Sequence, residues 1–183
     1  MSTVSRGISD FAATKFGPES PQAKMKFAMN DINTTLLQTA HGCTVTLYYD
    51  MGTPRPYDLI FRVQGTKGLY MGNQDEIYVE GVSPQAHTYE RFPPYLEKYR
   101  HPTWATHHEQ ALATGGHGGA DYITLHEFIQ AVRNKTQPPQ DVYDAATWSA
   151  VIPLSSQSAT SGSQPIPFPD FTNGQWKTRP PVA

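Results

Sequence analysis

Between residues 34 and 80, short β-type segments follow one another about every ten residues, and nothing between them is long enough to be a helical crossover. Residues 44–51 show the pattern best. Val45, Leu47, Tyr49 and Met51 alternate with Thr44, Thr46, Tyr48 and Asp50, the period of a half-buried strand. Before them, residues 34–39 are rich in β-branched side chains and His41-Gly42 supplies a turn, so a hairpin is predicted. Further strands are predicted at 59–64, 69–71 and 77–80, the first two joined by Gly65-Thr66-Lys67-Gly68. Parallel strands need a crossover of a dozen or more residues, so these strands are expected to pair antiparallel, as a meander.

Helical periodicity takes over in the second half. Short helices are predicted at 93–99 and 103–112. Over 121–135, Tyr122, Leu125, Phe128, Ile129 and Val132 share one face, with Asp121 in the first turn and Arg133 and Lys135 in the last. Asp141 offers an N-cap for a helix over 142–152, with Ala145, Trp148, Val151 and Ile152 as its buried stripe and Pro153 to kink or end it. Near the start, Ile8, Phe11, Ala12 and Phe16 form one short helical face that stops at Gly17-Pro18. Residues 155–164 read as a polar stretch and 165–183 as an extended tail anchored by Phe168, Phe171 and Trp176. Strands first and helices afterwards predict the α+β class: one predominantly antiparallel β-sheet with helices, 121–135 among them, packed on one face.

A chain of 183 residues suits one domain with a real core. Its net charge of −2 offers no basic surface for nucleic acid, so none is expected as a partner. No apolar run approaches the roughly 18 residues of a membrane span, and no membrane is expected either. Met1-Ser-Thr-Val-Ser-Arg6 lacks the regions of a signal peptide, so the chain as written is expected to be cytoplasmic. The single Cys43 allows no internal disulfide and reads as a small strand residue.

Chemistry concentrates at Gly115-Gly116-His117-Gly118-Gly119, where four glycines flank one imidazole ahead of a helix. Such a backbone can lie close against a ligand and present His117 alone; a flexible turn with a chance histidine is the plain alternative. The loop lacks the Lys-Ser/Thr of a phosphate cradle, and the segment before it is helical, so it is no dinucleotide fingerprint. His107-His108-Glu109 lacks the second histidine of a zinc-protease motif, and no metal site is expected. No serine-nucleophile motif is present. In Thr53-Pro54-Arg55-Pro56-Tyr57, two prolines stiffen a loop that presents a guanidinium and a phenol, both suited to a polyhydroxylated ligand. The alternative is an arginine that caps carbonyls beside a tyrosine packed on proline. Asp141 and Asp144 read as a helix-start pair rather than an acid and base.

Several motifs occur together in order: Phe27-Ala28 with Asp31-Ile-Asn33-Thr-Thr-Leu36, Pro54-Arg-Pro-Tyr57, Gly65-Thr-Lys-Gly68, Ile77-Tyr-Val-Glu-Gly81, the glycine loop with Asp121-Tyr122, Asp141-Val-Tyr-Asp-Ala-Ala146, and Pro169-Asp-Phe-Thr172 with Trp176-Lys-Thr178. Over nearly the whole chain they resemble the C-terminal domain of glycoside hydrolase family 109. That family is the α-N-acetylgalactosaminidase-type branch of the glucose-fructose oxidoreductase, inositol dehydrogenase and MocA (Gfo/Idh/MocA) superfamily. The resemblance implies a sugar or glycoside substrate and a bound NAD that removes hydride from C3. Loss of the C2 proton, elimination at C1, addition of water and return of the hydride then follow.

Among the residues, the resemblance implies His117 as catalytic. Arg55, Tyr57, Gly115, Gly116, Gly118, Gly119, Asp121 and Tyr122 would bind substrate. It also implies an N-terminal NAD-binding Rossmann domain that these residues do not contain, so the chain alone is expected to bind no NAD and cleave no glycoside. A homo-oligomer through the exposed sheet face is expected as well. Two other functions stay open: a sibling sugar oxidoreductase, and a non-catalytic sugar-binding or assembly module.

Overall fold

The computed structural model describes residues 1–27 and 30–179. They form two compact units, one of residues 1–56 with 142–179 and one of residues 57–141. The class is α+β, and every strand pairing is antiparallel. Among the described residues, no helix is long and apolar enough to cross a membrane.

In the first unit, β1 (Ile32–Gln38) and β2 (Thr44–Asp50) make the predicted hairpin, in register from Ile32 opposite Asp50 to Gln38 opposite Thr44. Its turn is closed by Thr39, whose carbonyl accepts from Gly42 N (3.0 Å) and whose hydroxyl accepts from Cys43 N (3.0 Å). The His41 ring at the turn meets Trp176 edge-on at 5.8 Å. Helix α1 (Gly7–Phe16) starts where expected, capped from outside its own sequence: Asp31 accepts from Arg6 N at 2.8 Å and from Gly7 N at 3.0 Å. That capping needs close backbone approach. A Cβ on Gly7 would stand 1.7 Å from the Gly52 carbonyl oxygen, so residue 7 can carry no side chain here. Of the predicted face of α1, Ala12 is buried while Phe11 and Phe16 remain exposed.

The helix predicted over 142–152, with Pro153 to kink or end it, runs on through Pro153 as α5 (Val142–Thr160). Proline removes one backbone donor from a ladder that the flanking residues carry on, and serine and threonine hydroxyls in the last turns bond back onto carbonyls, as Thr160 Oγ1 does to Ser156 O (3.1 Å). Gly162, at positive φ, ends the helix, and Ser163 N returns to Ser158 O at 2.8 Å. The predicted stripe of α5 is not buried: Trp148 and Ile152 are exposed. Arg179 clamps the tail to this helix through two 2.9 Å contacts with the carboxylate of Asp144. The rest of the tail is gathered by Asp170, which accepts from Thr172 N (2.9 Å), Gly174 N (2.8 Å) and Trp176 Nε1 (3.2 Å). Residues 180–183 of the tail, and Ala28 of the first motif, lie outside the described residues.

The second unit holds a four-stranded meander, β3 (Arg62–Gln64), β4 (Gly68–Met71), β5 (Glu76–Val79) and β6 (Glu90–Arg91), in that order. Ile77 is buried at its centre, and Tyr70 lies between Phe61 and Phe92 at 6.2 and 4.6 Å. Beyond it come α2 (Leu96–Tyr99), α3 (Pro102–Thr114) and α4 (Ala120–Asn134). The expected single sheet is therefore two among the described residues. Pairing of β2 ends at Asp50, Pro54 and Pro56 have no N–H to extend a ladder, and Ile60, expected in a strand, takes φ 49°. Nor does α4 lie on the sheet of its own unit. It packs on α3, where Tyr122 and His126 face His107, and on the loop that precedes it, and leaves Leu125, Phe128, Ile129 and Val132 between 49% and 61% exposed.

Candidate functional site

The glycine loop joins α3 to α4, and all five residues from Gly115 to Gly119 have positive φ. For His117, at φ 44°, this is a strained conformation, one that histidine tolerates better than branched residues. Two glycines are required by close approach. A Cβ on Gly119 would stand 2.8 Å from the backbone of Ala111, and one on Gly116 would stand 2.6 Å from Asp121 Oδ2. Gly119 thus docks the loop on α3, and Gly116 makes room for the first-turn carboxylate of α4.

That carboxylate meets the histidine. His117 Nδ1 lies 3.0 Å from each oxygen of Asp121. An ionised carboxylate only accepts, so Nδ1 carries the proton and donates. The neutral ring then keeps its lone pair on Nε2, and with 85% of the His117 side chain exposed that nitrogen is open to a ligand. The arrangement can take a proton from a hydroxyl or return one. Tyr122, the next residue, turns to the helix seam instead, where its ring lies 6.2 Å from His107 and 5.8 Å from His126.

Arg55 and Tyr57 differ from one another. Arg55 Nε is 3.1 Å from Asp50, whose side chain is 2% exposed and which also accepts from Thr53 N at 3.1 Å. Hydrogen bonds from Thr53, with Arg55 nearby, hold the Asp50 carboxyl below the usual carboxylate range. Arg55 thus anchors its own loop. Tyr57 is 88% exposed, so it is not packed on proline, and it begins the second unit. Of the expected residues, the structure assembles Gly115, Gly116, His117, Gly118, Gly119 and Asp121 into one arrangement.

The pairing of Asp121 with His117 has only a spacing of four as its signal in the sequence. The approach of His107 of α3 to His126 and Glu127 of α4, whose nitrogen and carboxylate atoms all lie within 4.8 Å of one another, has none. No local motif joins residues nineteen apart; only the hairpin does.

The sequence model described as "Glycosyl hydrolase 109, C-terminal domain" matches residues 1–178. The chain belongs to this family. Over 183 residues it is 44% identical to a glycosyl hydrolase family 109 protein of Stenotrophomonas maltophilia, covering 100% of this chain and 40% of that protein. Over 182 residues it is 45% identical to an alpha-N-acetylgalactosaminidase of Tannerella forsythia, covering 100% of this chain and 38% of that one. The glycosyl hydrolase 109 C-terminal domain seen here thus spans about two fifths of the length of the curated relatives it matches.

Proposed function

We propose that this domain supplies the sugar-facing, proton-transferring part of an enzyme that cleaves α-N-acetylgalactosaminides. The observation that carries this is the His117–Asp121 pair: an exposed imidazole whose Nδ1 is held by a carboxylate, presented on a loop whose own residues offer no other side chain. A sugar hydroxyl or glycosidic oxygen beside Nε2 would exchange its proton there, with Asp121 stabilising the ring when it is charged. The naming of the Tannerella forsythia relative supports the substrate class.

The glycine loop does not fit a dinucleotide. It follows a helix rather than a strand, and the carboxylate of Asp121 stands at the N-terminus of α4, where a pyrophosphate would otherwise sit. The part assigned to this domain is therefore restricted to the sugar and its protons, with any NAD the whole enzyme uses assigned to residues outside these 183. The full-length protein given an aryl α-N-acetylgalactosaminide should release the aryl group and yield unoxidised sugar. An oxidised sugar as the final product would replace this reading with that of an oxidoreductase. Calorimetry of the 183-residue chain with NAD should show no tight binding, and a stoichiometric complex would overturn the division of labour.

A further inference from the structure

We propose that His107, His126 and Glu127 form a site for a divalent transition-metal ion of the zinc class at the seam of the α3–α4 hairpin. The seam is set by Ala111, fully buried beneath Gly119. His107 lies one turn before Ala111 on the same face of α3, so it points at α4. From α4, His126 and Glu127 reach the same place. Their ligand atoms and those of His107 lie within 4.8 Å of one another, and all three side chains are half-buried. The two imidazoles are 4.1 Å apart and inclined by 46°, so they are not stacked flat.

Donor atoms around a four-coordinate zinc ion stand about 3.3 Å apart, given metal–ligand distances of about 2.0–2.2 Å. Closing the present set to that spacing takes about 1.5 Å of side-chain adjustment, which the long glutamate allows although it leaves the helix beside His126 at about 100°. Two imidazoles and one carboxylate suit zinc-class ions; magnesium and calcium prefer oxygen donors alone. Three protein donors leave a fourth position for water. Tyr122 walls one side, its ring nearly parallel to that of His126. Four of the other five histidines have neighbours elsewhere: His101 caps α3, His108 lies against Trp104, His117 holds Asp121, and His41 meets Trp176. An ion here would tie the two helices together at the stem of the loop that carries His117. The proposal does not depend on the glycosidase reading.

The probe is Zn2+ alone, titrated calorimetrically into the 183-residue chain in a non-chelating buffer, with Mg2+ as the comparison. One Zn2+ per chain, no Mg2+ uptake and a zinc-dependent rise in melting temperature are expected. His107→Gln and His126→Gln should each weaken zinc binding by about tenfold or more at unchanged helical circular dichroism, while His41→Gln leaves it intact. Co2+ should give the intense visible absorption of a four-coordinate site, lost in the same two variants. Absence of zinc binding, binding retained in both variants, or equal loss in His41→Gln would overturn the proposal. Should the glutamine variants lose helix, Glu127→His, which adds a third imidazole, should raise zinc affinity; unchanged affinity would equally overturn it.

Discussion

Two loops of this domain each set a carboxylate against a basic side chain a few residues away, and they do so in opposite ways. In the Asp50–Arg55 loop the carboxylate is almost wholly buried, prolines stiffen the chain, and the guanidinium lies against its own loop. In the His117–Asp121 loop the chain is nearly all glycine, the carboxylate is 54% exposed and the imidazole 85% exposed. The first arrangement spends its charge on holding a turn closed. The second holds a ring in one tautomer and leaves its working nitrogen in the open, which separates a scaffold from a site although both join an acid to a base.

The largest test of that contrast is His117→Ala in the full-length enzyme. Turnover of an aryl α-N-acetylgalactosaminide should fall by roughly a hundredfold or more, the scale of acid-base assistance, with melting temperature nearly unchanged. A lowered melting temperature with activity per folded molecule intact would make His117 a turn residue after all. Asp121→Asn should cost less, roughly tenfold in turnover with substrate affinity retained, because the ring stays but its tautomer is no longer dictated. Steady-state kinetics that locate the loss in KM alone would contradict this.

Asp50→Ala should behave in the opposite way. It leaves Thr53 N without the acceptor it uses and removes the Asp50 ion pair from Arg55, so melting temperature should drop by several degrees while turnover is spared. The smallest effect concerns pH. The folded pKa of Asp50 lies below the unfolded value of about 4, so its contribution to stability is complete above that value and is lost as pH falls through the folded pKa. Acid titration of thermal stability should therefore be shallower in Asp50→Asn than in the parent chain. An identical acid limb in both would show that Asp50 does not carry it.

Much of this was legible in the sequence, and the limits have physical causes. The hairpin from Ile32 to Asp50 follows from alternation and a turn, both local, and α3 and α4 fall within two residues of their periodicity. The two-residue strand β6 carries no period to read, and β3 starts late because Ile60 takes a left-handed conformation. Burial was less legible than secondary structure. The apolar face of α4 was expected to lie on a sheet, yet Leu125, Phe128, Ile129 and Val132 are exposed, and it is Tyr122 and His126 that meet His107 of α3. At the site, glycine content revealed the loop, but its chemistry rests on Gly116 making room for Asp121, a contact across space that composition does not encode.

The exposed face of α4 has a calorimetric consequence. Heat capacity rises on unfolding chiefly because apolar surface passes into water, ordinarily by roughly 12–15 cal/mol/K per residue. Here Leu125, Phe128, Ile129 and Val132 are already largely in water, as are Trp148 and Ile152 of α5. For the 183-residue chain, that increment should fall clearly below the ordinary value. The curve of its stability against temperature should accordingly be flatter.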